Sequence, residues 1–249
     1  PIIRGRVAGV VGLSKDKTAI PALIEALHGE FFTVRARAAL ALANIGDRLV
    51  ISQLLPLLKD QEDEVRMAAC MALGIFKDPS TFDELANVTL DDPIIEVRQA
   101  AVKALGDSKN PTAIPFLMEA LRDSFWWFER EQSVRVLINA IEGMGSPVVE
   151  PLIEASADRE GTVRKLAAKM LGNLRDVRAI EELGMTLYDL HHEVSQTAAQ
   201  ALAQFSAPAI DVLAEALIHP EASVREHAIL GLGQIHDERV IPYLIEMLH

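Results

Sequence analysis

The chain has 249 residues, of which half are hydrophobic and only 5% are aromatic. Its 24 basic and 36 acidic side chains give a net charge of −12 at pH 7, which argues against general binding to nucleic acid or to anionic membranes. The single cysteine, Cys70, excludes an internal disulfide and a cysteine-built metal site, and no apolar run reaches the roughly 18–20 residues of a membrane span. We therefore expect a cytoplasmic protein that binds neither nucleic acid nor membrane.

A valine-arginine motif followed by an apolar segment recurs along the whole chain. Ile3-Arg4 is a conservative first copy, and Val194-Ser195 is a degraded one. The spacings between copies run from 29 to 37 residues, and such self-similarity indicates a repeat architecture. The other copies begin at Val34, Val65, Val97, Val134, Val163 and Val224.

Each copy predicts two antiparallel helices in about 31 residues. The first helix starts at the motif, is rich in alanine, and often closes on a glycine such as Gly106 or Gly172, which we expect to cap its C-terminus. The second often opens with Ile-Pro, as at Ile20, because proline is tolerated in a first helical turn. Neither helix can bury its apolar face alone, so the units must stack. We predict sixteen helices and almost no strand.

The segment from Val97 to Gly106, Val-Arg-x-x-Ala-Ala-x-x-Leu-Gly, together with the Ala-Ile-Pro openings, resembles the HEAT-repeat proteins. Within them it resembles the subgroup named after phycobilisome lyases. The resemblance implies an all-α, right-handed α-solenoid of stacked two-helix HEAT-like repeats over residues 1–249. We expect half-units at both ends, which favours a piece of a longer protein. The resemblance also implies that the repeated arginines bond acidic turn residues in a ladder, which Ser195 interrupts. These arginines are Arg35, Arg66, Arg98, Arg135, Arg164 and Arg225.

The longest spacing, 37 residues between Val97 and Val134, contains an aromatic insertion at residues 123–131. Aromatic side chains often carry binding energy at interfaces, since they bury a large area with few rotatable bonds. Four consecutive residues cannot all face one side of a helix, so we expect at least one aromatic ring to be exposed or to contact a partner. Packing of the cluster into a local defect is the alternative. The four are Phe125, Trp126, Trp127 and Phe128.

A second candidate surface lies two and six residues after each motif valine, on one face of the first helices. We expect this face to point partly to a concave surface, with an apolar end and a basic middle that suit a peptide or a partner helix. Simple packing against neighbouring units is the alternative. The apolar candidates are Leu40, Met67, Met71 and Val136, and the basic candidates are Lys103, Lys165 and Lys169.

No catalytic or metal-binding motif stands out. Seven histidines are present, but two facing His-Glu pairs of the kind found in di-iron relatives are missing, and there is no phosphate-binding glycine loop. Cys70 falls in a core position of its helix. We therefore predict no cofactor, no metal and no catalytic residue, and a non-catalytic scaffold that binds another protein or peptide. The family resemblance implies an alternative, a bilin lyase or a chaperone for bilins or phycobiliproteins. Oligomeric state stays open.

Overall fold

The structure, a computed structural model, describes residues 2–128 and 131–248, with side chains described at 2–126 and 133–248. All regular structure in these ranges is helical, and no strand occurs in them. By contacts between residues the chain divides into two units, residues 1–144 and 145–249, and each is described by itself. None of the described helices is by itself long and apolar enough to cross a membrane.

In the first unit, helices that start at the repeated motif, here called anchor helices, alternate with companion helices. Each anchor helix packs on the next along the chain, and the companions cover one side of this row. The anchor helices are α1 (Ile2–Ser14), α3 (Phe32–Ile45), α5 (Asp63–Phe76), α7 (Ile95–Asp107) and α10 (Glu131–Glu142). The companions are α2 (Ile20–Leu27), α4 (Ile51–Leu54), α6 (Phe82–Asp91) and α8 (Ile114–Arg122), and α9 (Phe125–Phe128) is an additional short helix.

The second unit continues the alternation with three further anchor helices. They are α12 (Gly161–Leu174), α14 (His192–Ala203) and α16 (Ala222–Gln234). The companions are α11 (Val149–Ala155), α13 (Ile180–Thr186), α15 (Ile210–Ala216) and α17 (Val240–Glu246). The described residues thus contain the predicted eight anchor and eight companion helices, and the all-α repeat solenoid is confirmed. Half-units at the two ends stay a prediction.

The motif glycines are not helix caps, which corrects the expectation from the sequence. Gly106 and Gly172 lie inside their helices, where they face an alanine of the next anchor helix. A Cβ added at Gly106 would lie 2.7 Å from Cβ of Ala140, and one at Gly172 would lie 2.7 Å from Cβ of Ala201. Glycine therefore sets how closely neighbouring anchor helices approach. The helix-ending, left-handed conformation falls on later residues instead.

A residue with positive φ marks the register of seven of the eight repeats, and it shows that one anchor was misplaced. It lies twelve residues after the anchor, at Gly46 for Val34 and at Lys77 for Val65. In the fifth repeat it is Gly145, which lies twelve residues after Ser133. Ser133 is buried, whereas Val134 is only half-buried, so the serine occupies the anchor position. The insertion had shifted the apparent motif by one residue.

The predicted arginine ladder is present in both units. Each ladder arginine donates hydrogen bonds to an aspartate about 25 residues later, in the turn before the next anchor helix. The main-chain carbonyls of Asp60 and Asp92 also accept hydrogen bonds from the next ladder arginines, Arg66 and Arg98. These shared aspartates join consecutive repeats into a chain of ion pairs. The pairs are Arg35–Asp60, Arg66–Asp92, Arg98–Asp123 and Arg164–Asp189.

Two predicted ladder arginines behave differently. Arg135 is exposed, because the corrected register gives the ladder position to Val134. Arg225 donates to the main-chain carbonyls of His219 and Pro220, at 2.7 and 2.9 Å. Ser195 has no charge and interrupts the series, as expected. Its buried hydroxyl donates to the Leu187 carbonyl at 2.6 Å.

Candidate partner-binding groove

Three of the predicted surface residues meet in one groove of the first unit. Leu40, Met71 and Lys103 come from three successive anchor helices and line a groove of about 460 Å³. The structure adds residues that the spacing argument had not selected, among them Ile75, Lys77 and Lys109. We call this site the lysine groove. Its lining is Leu40, Met71, Gly74, Ile75, Lys77, Ala100, Lys103, Ala104, Asp107 and Lys109.

The lysine groove combines an apolar floor with a basic rim. Met71 and Ile75 are 49% and 51% exposed, so both offer apolar surface to the groove. The rim contains three lysines and one acid, Asp107, which lies 3.7 Å from the Lys103 ammonium. The groove therefore has an excess of positive charge on a chain with a net charge of −12.

Two of the rim lysines owe their place to the left-handed residues that follow α5 and α7. Lys77 and Lys109 both have positive φ values, 51° and 55°. At this position the chain leaves the helix beside the exposed helix face, so a long side chain there reaches the groove. Lys15 and Arg175 occupy the equivalent position in other repeats. A basic residue twelve positions after the anchor is therefore a sequence signal for this surface. The prediction from the sequence used only the positions two and six residues after the anchor and did not include it.

The remaining apolar candidates lie near the groove but not in its lining. Met67 is half-buried, one helical turn before Met71. Val136 is half-buried and lines a neighbouring depression of about 200 Å³ with Lys103, Lys109 and other residues. The register shift explains its position, since two and six residues after Ser133 stand Arg135 and Asn139, which are both exposed.

The basic candidates of the second unit lie in a separate groove of about 350 Å³. Lys165 and Lys169 line it together with Thr197 and Gln200. Lys165 forms an ion pair with Glu193 at 2.5 Å, so part of its charge is already balanced. The hydrogen bond and charge of Lys165 lower the pKa of Glu193. This groove is consequently more polar and less basic than the lysine groove.

The aromatic insertion packs inward where its side chains are described. Trp126 is fully buried, so it is not the exposed ring expected among the four aromatic residues. Among the described residues, the indole N–H has no hydrogen-bond partner. Phe125 is half-buried, and the Arg98 guanidinium stacks 3.7 Å from its ring centroid. The insertion therefore supports the ladder through a cation–π contact. The side chains of Trp127 and Phe128 lie outside the described residues.

Three side chains of the second unit form a hydrogen-bonded cluster where the ladder is interrupted. Nδ1 of His227 lies 2.8 Å from the Ser195 hydroxyl oxygen, and Nε2 of His227 lies 3.1 Å from Nε2 of His192. His227 is buried, whereas His192 is exposed. Burial and the nearby His192 lower the pKa of His227. No spacing rule pointed to this cluster, since 35 residues separate the two histidines.

Cys70 is buried in α5, as predicted. Burial raises the pKa of its thiol to about 12, which leaves almost no thiolate at neutral pH. A nucleophilic role would need the thiolate. The residue therefore acts as a small hydrophobic core group.

The fold and the groove define an all-α repeat solenoid with an exposed groove along its anchor helices. Repeat solenoids of this kind present extended binding surfaces. The chain belongs to the HEAT-repeat family, because the sequence profile of HEAT repeats matches residues 1–73, 51–138 and 185–249. No protein of curated function matches the sequence significantly.

Several solved structures resemble the chain at low identity. The complex of CpcE and CpcF of phycocyanin lyase from a Nostoc species is 20% identical, with 92% of this chain and 94% of that chain covered and a TM-score of 0.48. An engineered protein is 20% identical, with 98% and 77% covered and a TM-score of 0.48. Human deoxyhypusine hydroxylase in complex with glycerol is 20% identical, with 94% and 97% covered and a TM-score of 0.40.

Proposed function

We propose that the protein is a non-catalytic interaction scaffold whose first unit binds an acidic amphipathic helix of a partner protein in the lysine groove. The single observation that carries this proposal is the coincidence of half-exposed apolar side chains and three lysines in one groove. A partner helix with apolar residues on one face and carboxylates beside them matches both features. Membership in the phycobilisome-lyase subgroup is part of the same proposal, supported by the Val97–Gly106 motif.

The dimensions of the groove favour a short helix. Its lining residues belong to the three successive anchor helices α3, α5 and α7, apart from Lys77 and Lys109, which follow α5 and α7. Packed helices have axes about 8–10 Å apart, so the groove spans roughly 16–20 Å. A helix rises 1.5 Å per residue, which gives an occupant of about 12 residues. Met71 lies near the centre of this span, and the flexible thioether of methionine adapts to different apolar partners.

Charge complementarity makes the lysine groove prefer an acidic partner helix over a basic one. The rim lysines are exposed, and Lys103 is 72% exposed at its side chain, so each pairing with a partner carboxylate contributes about 0.2–1 kcal/mol. Burial of the apolar floor supplies the remaining affinity, at about 25 cal/mol per Å². Binding should therefore weaken, but not disappear, as salt screens the rim.

A synthetic helical peptide tests the proposal directly. The probe has leucines at i, i+4 and i+7 with glutamates beside them, and the control peptide has lysines in place of the glutamates. Fluorescence anisotropy with the full chain should show binding of the acidic peptide, and binding of the basic peptide at least tenfold weaker. Equal affinities for the two peptides would refute the charge argument.

Matched variants locate the site. The double variant Lys77→Glu/Lys103→Glu should lower affinity for the acidic peptide about tenfold or more, since two pairings become repulsions. Lys15→Glu is the control, because Lys15 has the same left-handed conformation but lies outside the groove. Met71→Asp should weaken binding of both peptides. If Lys15→Glu has the same effect as the double variant, the lysine groove is not the site. A free bilin titrated in the same way tests the alternative that the family resemblance implies.

A further inference from the structure

Two imidazole rings of the second unit bring their Nε2 atoms within 3.1 Å of each other. His192 begins α14, and His227 lies in the first half of α16. The rings are nearly perpendicular, at 74°, and their centroids are 4.5 Å apart. Rings aligned end to end would have centroids farther apart, because each ring adds its own radius to the separation of the nitrogens. The two Nε2 atoms therefore point toward a common region of space.

A fixed tautomer leaves the Nε2 atom of His227 free to act as a ligand. The Ser195 hydroxyl donates its only proton to the Leu187 carbonyl, at 2.6 Å. The same oxygen lies 2.8 Å from Nδ1 of His227, so it must accept a proton from that nitrogen. With Nδ1 protonated, Nε2 presents a lone pair toward His192. Metal-binding histidines have this same arrangement, with the second nitrogen donating to an outer group.

The distance between the two nitrogens suits a shared metal ion. Zinc binds histidine nitrogen at about 2.0–2.1 Å, so two nitrogens on one ion at octahedral to tetrahedral angles lie roughly 2.9–3.4 Å apart. The observed 3.1 Å falls inside this range. Exposed His192 leaves room for water at the remaining coordination positions. Acidic residues adjoin both ligands in sequence, Glu193 beside His192 and Glu226 beside His227.

We propose that His192 and His227 bind a late first-row divalent cation such as Zn²⁺ through their Nε2 atoms, and that the ion ties α14 to α16. In the ion-free cluster His192 donates its Nε2 proton to His227. Binding moves the proton of His192 to Nδ1, on the exposed side of the ring, and both rings stay neutral. The imidazole ligands select zinc, nickel or copper over magnesium, which prefers oxygen.

The position of the site within the repeat gives the ion a structural role. At four other interfaces an arginine and an aspartate 25 or 26 residues later join adjacent repeats. Here Ser195 stands at the arginine position, and Pro220 follows 25 residues later in place of the aspartate. Both partners of the usual ion pair are missing together, and the histidine pair bridges the same two anchor helices. A bound ion would replace the missing link.

Calorimetric titration of Zn²⁺ into the full chain, without a histidine tag, tests this site. We expect one ion per chain, and no binding of Mg²⁺ under the same conditions. His192→Ala should lower the Zn²⁺ affinity more than tenfold, and because His192 is exposed this variant should still fold. His191→Ala is the matched control, since His191 is the exposed neighbour whose Nδ1 lies 3.0 Å from Nη2 of Arg164 and 3.3 Å from Oδ1 of Asp189 instead. It should keep the wild-type affinity.

Two further measurements test the role of Ser195 in orienting the ligand His227 and the connection that the ion makes between α14 and α16. Ser195→Ala keeps both ligands but removes the group that fixes the tautomer, so we expect a 10- to 100-fold loss of affinity. Zn²⁺ should raise the Tm of the wild-type chain and leave that of His192→Ala unchanged. The proposal is overturned if His192→Ala binds Zn²⁺ as tightly as the wild-type chain, or if the wild-type chain binds no single ion. A Tm that does not respond to bound Zn²⁺ would refute the link between α14 and α16. These outcomes do not depend on whether the lysine groove binds a helix.

Discussion

Removal of one ladder aspartate should destabilise the first unit far more than removal of an aspartate whose arginine partner is exposed. Asp92 accepts two hydrogen bonds from Arg66, at 2.7 and 3.1 Å, and its carboxylate also accepts the Ile94 main-chain N–H at 2.9 Å. The side chains of Arg66 and Asp92 are only 12% and 5% exposed. Asp92→Ala therefore leaves a largely buried guanidinium without its anion.

The magnitude follows from this burial. Removal of one partner from a buried ion pair costs about 3–5 kcal/mol, and the slight exposure of Arg66 favours the lower end, about 3 kcal/mol. Loss of the hydrogen bond to the Ile94 N–H adds about 1 kcal/mol. We expect Asp92→Ala to lower the free energy of unfolding by about 4 kcal/mol, measured by urea denaturation with circular dichroism at 222 nm.

Asp78 provides the matched control. It also pairs with an arginine, Arg48 at 2.8 Å, and it also accepts a main-chain N–H two residues later, from Ser80. Arg48, however, is 63% exposed at its side chain, so this pair contributes only about 0–1 kcal/mol. Asp78→Ala should cost about 1–2 kcal/mol in total. If the two variants lose equal stability, the buried ladder is not what joins these repeats.

Three further results are expected. Gly12→Ala should destabilise the chain by about 1–3 kcal/mol, because the added Cβ would lie 2.6 Å from Cα of Ala41. Gly9→Ala in the same helix is the control: its Cβ would meet no atom within 4 Å, so this variant should be neutral or stabilising. Chemical denaturation of both variants compares the two effects. Stability should fall in acid below about pH 4. Burial raises the pKa of Asp60, but the hydrogen bonds and charge of Arg35 outweigh this effect and hold the pKa below 3.8. The contribution of Asp60 to stability is therefore complete above this value and is lost as the pH falls through the lower pKa of the folded chain, so a urea midpoint that stays constant between pH 5 and pH 2 would contradict the prediction. Cys70 should resist a thiol reagent at pH 8 until the chain unfolds, and rapid labelling of the native chain would show that α5 opens.

The repeat could be recognised from the local sequence because every unit must bury the apolar faces of the same two helices. An alanine-rich anchor helix and an Ile-Pro companion are both defined within about 31 residues, so helix content and helix order followed from composition and spacing, whereas the ladder arginines followed from the resemblance to HEAT repeats. The buried position of Cys70 followed in the same way, since it depends only on the face of one helix. The shared helix face of Leu40, Met71 and Lys103 was likewise set by helical periodicity.

Contacts between repeats decided the rest. The insertion hid the true anchor, Ser133, because a serine can fill a buried position when a neighbouring side chain bonds it, as Gln99 does at 3.0 Å. The motif glycines were assigned to helix ends, but the close approach of the next helix, which no single repeat contains, keeps them in helix interiors. The expectation that at least one of the four aromatic rings is exposed or contacts a partner did not say which one, because a count of residues per turn cannot show which side of a short helix meets the core.

For the candidate sites, too, the sequence determined some features and contacts between repeats determined the others. The sequence by itself determined that an exposed face with apolar and basic residues exists, since a helical period places those residues on one side. Only the tertiary structure showed that Lys77 and Lys109 complete the groove, because their left-handed turns direct long side chains toward the adjacent helices. It also brought together His192 and His227, which lie on different helices. Local patterns fix what each repeat is, whereas the stacking of repeats fixes which distant side chains meet.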